Sequence, residues 1–237
     1  RSLGHICWWY GDPEATLRYC QEALALVSPE SPIAANIYIT MATPYVYRQQ
    51  FETARQYAEH GLAIAEQLQL PELLPRAHSN LGSILSRGGE IETGERHLRK
   101  AVELAQGSGL ESYARVMAVG YLAQNLCGQG RLDEGRQLAE AILWERAANP
   151  NTYEMVVTRS VLADIALEAD ALDEAQAIFE SLEEIGQRRQ FRIPLAMVYF
   201  GLAYIHQQNG RSEAAIHYAQ QSVAILEPLD LWQLFLD

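Results

Sequence analysis

The sequence predicts an all-α fold, a right-handed superhelical solenoid of about six antiparallel helical hairpins. Three observations lead there. A small residue recurs near the start of one helix as Thr16, Ala54, Gly94, Gly135, Ala175 and Ala215, at intervals of 38, 40, 41, 40 and 40 residues. A large residue followed by a small one recurs in the helix before it, as Leu3-Gly4, Met41-Ala42, Leu81-Gly82, Leu122-Ala123, Leu162-Ala163 and Leu202-Ala203. From the large residue of each pair to the downstream small residue is 13 positions in all six copies. A period near 40 means stacked helical hairpins, and the constant 13 means that the hairpin itself is rigidly specified.

Each element of the unit has a physical reason. Small residues at both marked positions let two antiparallel helices approach until backbone meets backbone. The turn between them begins with Gly11, Gly89, Gly130 or Gly210 in four copies and with Gln49 or Asp170 in the others, where a left-handed residue ends the first helix. Three residues later an acid stands in every copy, as Glu14, Glu52, Glu92, Asp133, Asp173 and Glu213. A carboxylate there meets the unsatisfied N–H groups and positive dipole of the second helix, a structural rather than catalytic role worth about 0.3–1 kcal/mol.

The copies run at approximately 1–28, 33–70, 73–108, 112–149, 152–188 and 193–227, and a seventh begins at 229–237, so that 1–237 reads as a single solenoid domain. Residue 1 falls within a helix and there is neither an initiator Met nor a signal peptide, as expected of a piece of a larger protein. Most prolines fall between units or in first helical turns. Pro44 falls inside the first helix of copy two, where a kink near residues 40 to 44 is expected.

Composition excludes several function classes. The chain has 18 basic and 30 acidic residues and a formal charge of −12, which argues against nucleic acid and anionic membranes as partners. No apolar run approaches the roughly 20 residues of a membrane span. Cys7, Cys20 and Cys127 lack metal-type spacing and read as reduced thiols of a cytoplasmic protein, Cys7 and Cys20 at packing positions of copy one. There is no phosphate-binding glycine loop, no nucleophile elbow and no paired-histidine zinc motif. The only lysine is Lys100, beside Arg99 on a helix surface. The sequence therefore predicts no catalytic residues, no metal and no cofactor, and it places His78 and His206 at helix-packing positions.

The markers resemble the tetratricopeptide repeat, whose pattern is W-x2-L-G-x2-Y…A-x3-F…P over 34 residues. Copy three, LGSILSRGGEIETGERHLRKA, carries the likeness through Leu81-Gly82, Leu85, Gly94 and Leu98. At the Trp position stand Tyr38, His78, Val119, Arg159 and Tyr199; at the Phe position stand Cys20, Ala58, Leu98, Ala139, Phe179 and Ala219. The unit is longer than 34, with the extra residues between hairpins. In that respect it is similar to the repeat region of large ATP-binding LuxR-type bacterial activators, the MalT-like group. The resemblance implies a ligand- or protein-binding sensor domain of a transcriptional regulator; a general scaffold in another bacterial signalling protein is the alternative. The lysine–asparagine clamp that chaperone-binding tetratricopeptide domains carry has no counterpart, since the matching positions hold Ile39, Ser79, Gly120, Ser160 and Phe200, then Thr43, Ser83, Gln124, Asp164 and Tyr204.

In a solenoid the binding surface is the concave face, lined by first-helix residues that do not pack on the partner helix. Counting from the markers gives Asn36, Tyr47, Arg76, Asn80, Arg87, Tyr121, Gln124, Asp164, Tyr204 and Gln207 as candidate contacts. Their mixture of aromatic, amide and charged groups suits a protein or peptide segment, or a small-molecule inducer.

Overall fold

In the computed structural model, residues 12–106, 113–229 and 231 are described; the markers Leu3-Gly4, Cys7 and Gly11 and most of the seventh unit lie outside them. The described residues form eleven α-helices and no strand: α1 Pro13–Leu24, α2 Pro32–Tyr47, α3 Phe51–Gln67, α4 Leu74–Arg87, α5 Ile91–Ala105, α6 Tyr113–Gly128, α7 Leu132–Glu145, α8 Tyr153–Glu168, α9 Leu172–Arg189, α10 Arg192–Gln208 and α11 Ser212–Leu226. A single 3-10 turn follows at Glu227–Leu229. Pairs α2/α3, α4/α5, α6/α7, α8/α9 and α10/α11 are the hairpins, and α1 is the second helix of copy one. They build the helical solenoid that the repeat predicts.

First and second helices differ because their surroundings differ. Each first helix packs on its own second helix, on the second helix before it and on neighbouring first helices. A helix covered on several sides must be apolar nearly all round, and α2, PIAANIYITMATPYVY, contains no charge at all. Pro44 lies inside α2, which is helical without a break from Pro32 to Tyr47. The second helices line the outside and are amphipathic: α5 buries Gly94, Leu98, Ala101 and Ala105 and turns its charges to solvent.

The turn within each hairpin repeats the same backbone geometry. Gln49, Gly89, Gly130, Asp170 and Gly210 are all left-handed, with φ of 55, 91, 73, 57 and 68°. The next residue's N–H then reaches back to the first helix: Gln50 to Tyr45, Glu90 to Leu85, Arg131 to Leu126, Ala171 to Ala166 and Arg211 to His206, at 2.8–2.9 Å. This closure satisfies carbonyls that a helix end leaves bare. The second helices start without a side-chain cap at Gln50, Glu90, Arg131, Ala171 and Arg211. The acid column in their first turns supplies the complementary negative charge instead.

At the helix crossing the small residues are required by contact. A Cβ on Gly94 would lie 2.7 Å from the Gly82 carbonyl oxygen and 2.9 Å from the Ser86 nitrogen, and one on Gly82 would lie 2.9 Å from the Gly94 oxygen. Ser86 donates to the Gly82 carbonyl at 2.8 Å, and buried Asn125 of the next unit donates to Ser86 Oγ at 2.6 Å and to the Ile91 carbonyl at 3.0 Å. At the position three residues before the marked large residue, four of the five hairpins carry an aromatic or polar pair, while Val119 of α6 packs in an apolar cluster with Ile142 and Met155. Tyr38 meets His60 edge-on, His78 Nδ1 lies 3.0 Å from His97 Nδ1, Arg159 donates to Ser181 at 2.6 Å, and Tyr199 packs beside Tyr218. His206 stacks on Tyr218 as well. Both histidines thus sit at packing positions, as expected, and Cys20 is buried with Leu17, Ile37 and Met41.

Two features join hairpins to one another. On the convex side Arg55 binds Glu90 at 2.6 Å, Arg99 binds Glu134 at 2.8 Å and Arg136 binds Glu174, each linking one second helix to the start of the next. Such exposed pairs contribute about 0–1 kcal/mol apiece. On the concave side Tyr47, at the end of α2, packs against a cluster of Ile193, Ala196, Leu226 and Leu231. The superhelix therefore winds far enough for copy two to touch copy six.

The close crossing makes a stability contrast. Gly94→Ala forces backbone apart and should cost about 1–3 kcal/mol. Gly128→Ala, at a helix end where a Cβ meets nothing within 4 Å, should be neutral or stabilising by up to about 1 kcal/mol. Urea melts of the two variants measure this, and equal effects would show that the crossing does not set the hairpin.

Candidate functional site in the concave groove

The first helices present inward stripes at helical spacing. From α8 come Tyr153, Val157, Ser160, Asp164 and Glu168; from α10 come Pro194, Met197, Phe200 and Tyr204. Facing them are Tyr47 from α2, Arg87 from α4, and Tyr121 and Gln124 from α6, around one cavity of about 680 Å³. That size suits a ligand of several residues or a small organic molecule. Phe179, from the second helix α9, reaches the cavity only because position 201 is glycine: a Cβ there would lie 2.5 Å from the phenyl ring.

The cavity is divided in character. Met197, Phe200 and Tyr204 are 37, 44 and 44% exposed, a cluster of large apolar groups that the fold leaves unburied. The other end is charged. The Arg87 guanidinium stands over the Tyr47 ring at 5.6 Å, an arrangement that holds its direction. Asp164 is close enough to feel Arg87, but among the described residues no ion pair joins the two. Burial pushes the Asp164 carboxyl up to about 6; Arg87 opposes the rise and Glu168, one turn along α8, adds to it. Burial raises the Tyr121 phenol well above its usual range. It also raises the neighbouring Cys127 thiol to about 11, with Asp164 and Glu168 adding to the effect.

At the copy-two end the inner residues are bound to one another. Arg76 donates from Nη1 to Asn36 Oδ1 and from Nη2 to Thr40 Oγ1, both at 2.6 Å, and burial pulls its pKa down to about 10. Asn80 donates to the Ile39 carbonyl at 3.0 Å. These bonds fasten α4 to α2. Two spaces that Asn80 lines, one of them bordered by Arg76 as well, are about 20 Å³ each, water-sized rather than ligand-sized. At the far end Gln207 lines an adjoining cavity of about 430 Å³ that shares Phe200 and Tyr204.

A family model of the MalT-like TPR region matches residues 3–197, most of the chain. The chain belongs to the MalT-like tetratricopeptide-repeat family. A general tetratricopeptide-repeat model matches residues 196–225 beyond it. Solved structures of similar fold include a Rap protein complexed with competence and sporulation factor, with a TM-score of 0.77, 12% identity, and coverage of 96% of this chain and 62% of that one. Cut9-Hcn1 of the APC/C hetero-tetramer is another, with a TM-score of 0.70, 15% identity, and coverage of 93% and 39%. BtubC from P. vanneervenii aligns over 97% of this chain and 93% of its own, with a TM-score of 0.61 and 15% identity. At these identities the likeness is one of fold. No curated protein sequence matches the chain.

Of the residues that the sequence nominated, the MalT-like solenoid brings Tyr47, Arg87, Tyr121, Gln124, Asp164 and Tyr204 to one cavity. Gln207 lies next door, Asn80 beside a water-sized space, and Asn36 and Arg76 are spent on each other in the wall. Tyr153, Val157, Ile193 and Pro194 were missed, although they extend the inward stripes of α8 and α10 by one turn toward the helix start. Ile216, on second helix α11, also borders the adjoining cavity; the sequence gives no sign of this, because second helices are ordinarily hidden from the groove.

Asp164 makes stability depend on pH. Its carboxyl titrates at about 6 when folded against an ordinary 3.8, so the folded state holds the proton more tightly. The stabilisation from the neutral form is present at low pH and is lost as pH rises from about 4 through 6. Asp164→Asn should therefore be more stable than the parent by about 1–3 kcal/mol at pH 7.5 and show no advantage at pH 3.5. Denaturant melts at the two pH values test it; a gain that ignores pH would place the effect elsewhere.

Proposed function

We propose that this chain is the sensor solenoid of a LuxR-type bacterial transcriptional regulator, acting in the cytoplasm without catalysis and binding a peptide or protein segment on its concave face. One observation carries the binding assignment: inward residues from copies two to six converge on a single cavity that is mainly apolar and aromatic, with Arg87, Asp164 and Glu168 as its charged groups. The family match to the MalT-like TPR region supports the regulator context. The Rap protein of similar fold is complexed with competence and sporulation factor, and Cut9 is assembled with Hcn1; binding of protein-derived partners by arrays of this kind supports the ligand class.

A segment spanning the cavity would touch α4, α6, α8 and α10 together. Because the units are coupled mainly to their neighbours, such a ligand biases superhelical pitch and so the relation between the two ends of the array. That is a mechanical route from occupancy to attached modules.

Photocrosslinking separates the groove from the outer face. A benzophenone side chain at Gln124 should crosslink to the partner in cells at least ten times more than one at Arg96 on the convex side; equal yields would remove the groove assignment. The regulator assignment is tested by the full reading frame, which should carry a nucleotide-binding module upstream and a helix-turn-helix downstream. A frame with neither would leave a general scaffold.

A further inference from the structure

The groove's ligand can be specified further, on the assumption that the groove binds. Asp164 and Glu168 are four residues apart on α8, so both carboxylates point from one face into the same cavity. Among the described residues no ion pair reaches either of them. Arg87, the cation that faces Asp164, is engaged with the Tyr47 ring and stays out of contact range. Asp164 is partly buried in the wall without a direct cationic partner, an unfavourable setting for its charge that a ligand cation would relieve, and Glu168 stands exposed one turn along α8 to share that cation. The chain's charge of −12 adds a long-range pull in the same direction.

The rest of the cavity says what must accompany the cation. Phe200, with Met197 and Tyr204 beside it, offers an exposed apolar bed within the same cavity as the carboxylates. A small inorganic cation or a bare polyamine leaves that bed uncovered. Arg87 and Gln124 supply donors, and Gln124 an acceptor, suited to the carbonyls and N–H groups of an extended main chain. We propose that the groove recognises a peptide segment in which a basic side chain, seated between Asp164 and Glu168, is flanked by a large apolar side chain resting on Phe200. An acidic side chain in the same place would meet two carboxylates and is rejected.

Three blocked pentapeptides test this against the whole 237-residue chain by calorimetry: glycine ends, two phenylalanines, and a central arginine, glutamine or glutamate. The arginine peptide should bind at least tenfold more tightly than the glutamine peptide, with the glutamate peptide weakest. The double variant Asp164→Asn, Glu168→Gln should erase the arginine advantage while changing the glutamine peptide's affinity less than about twofold. Phe200→Ala should weaken all three. If the three bind equally, or glutamate binds best, and Phe200→Ala still weakens them, the preference for a basic segment is overturned while the groove stands as a peptide site. If binding is undetectable for all three at millimolar concentration, or indifferent to Phe200→Ala, the groove reading falls with it.

Discussion

Everything in this array follows from how closely two helices cross within a hairpin. Where Gly82 meets Gly94, carbonyl and nitrogen of one backbone stand where a methyl group of the other would need to be. That contact fixes the angle and register of the pair, and the left-handed turn residue with its backbone closure fixes the connection. With the hairpin rigid, the free variable is the stretch between hairpins. Length changes there alter how units stack without disturbing any one of them, so the groove inherits its shape from many small, nearly identical joints.

The degree to which sequence betrays structure follows the same division. The 13-residue spacing, the left-handed turn positions and the acid column were legible because each is dictated locally, within a few residues, by sterics or by a helix end. Gln49 and Asp170 were readable as left-handed only by their alignment with the glycines, since nothing in either side chain demands it. Inner-face positions were legible too, because helical periodicity says which way a residue points. Periodicity does not say what that residue meets. Arg76 and Arg87 looked alike in the sequence, yet one is fastened to Asn36 and Thr40 of the previous unit while the other stands over Tyr47 at the cavity. The difference depends on contacts some 40 residues apart, which no local pattern records.

The outer arginine–glutamate links were illegible for a similar reason. Nothing in the sequence around Arg55, Arg99 or Arg136 singles them out, and each lies exposed or partly exposed on its second helix. Their partners sit at the start of the following second helix, so that the acids serve the helix dipole and the neighbouring unit together. The Glu95 carboxylate carries this furthest: burial alone would raise it, but bonds from Gln129, Arg99 and Arg131 hold it below its ordinary range. The convex surface is a charged lattice in register with the repeat, while the concave surface has no such periodic use of charge. Irregularity on one face of an otherwise regular object marks where it has been shaped for something other than its own folding.

Tyr47 alters the mechanical character of the whole. A pure solenoid is a one-dimensional stack in which any unit can melt while distant ones persist. By resting on Ile193 and its neighbours, Tyr47 closes a loop through every intervening hairpin. Fraying of the last hairpin then withdraws support from the second, and the array should unfold less like a zipper and more like a single cooperative body. The contact also bridges one side of the groove, so a bulky ligand must slip past it or part it. The rate at which ligand escapes would then be governed by how often that one aromatic contact opens, separately from how tightly the ligand is held.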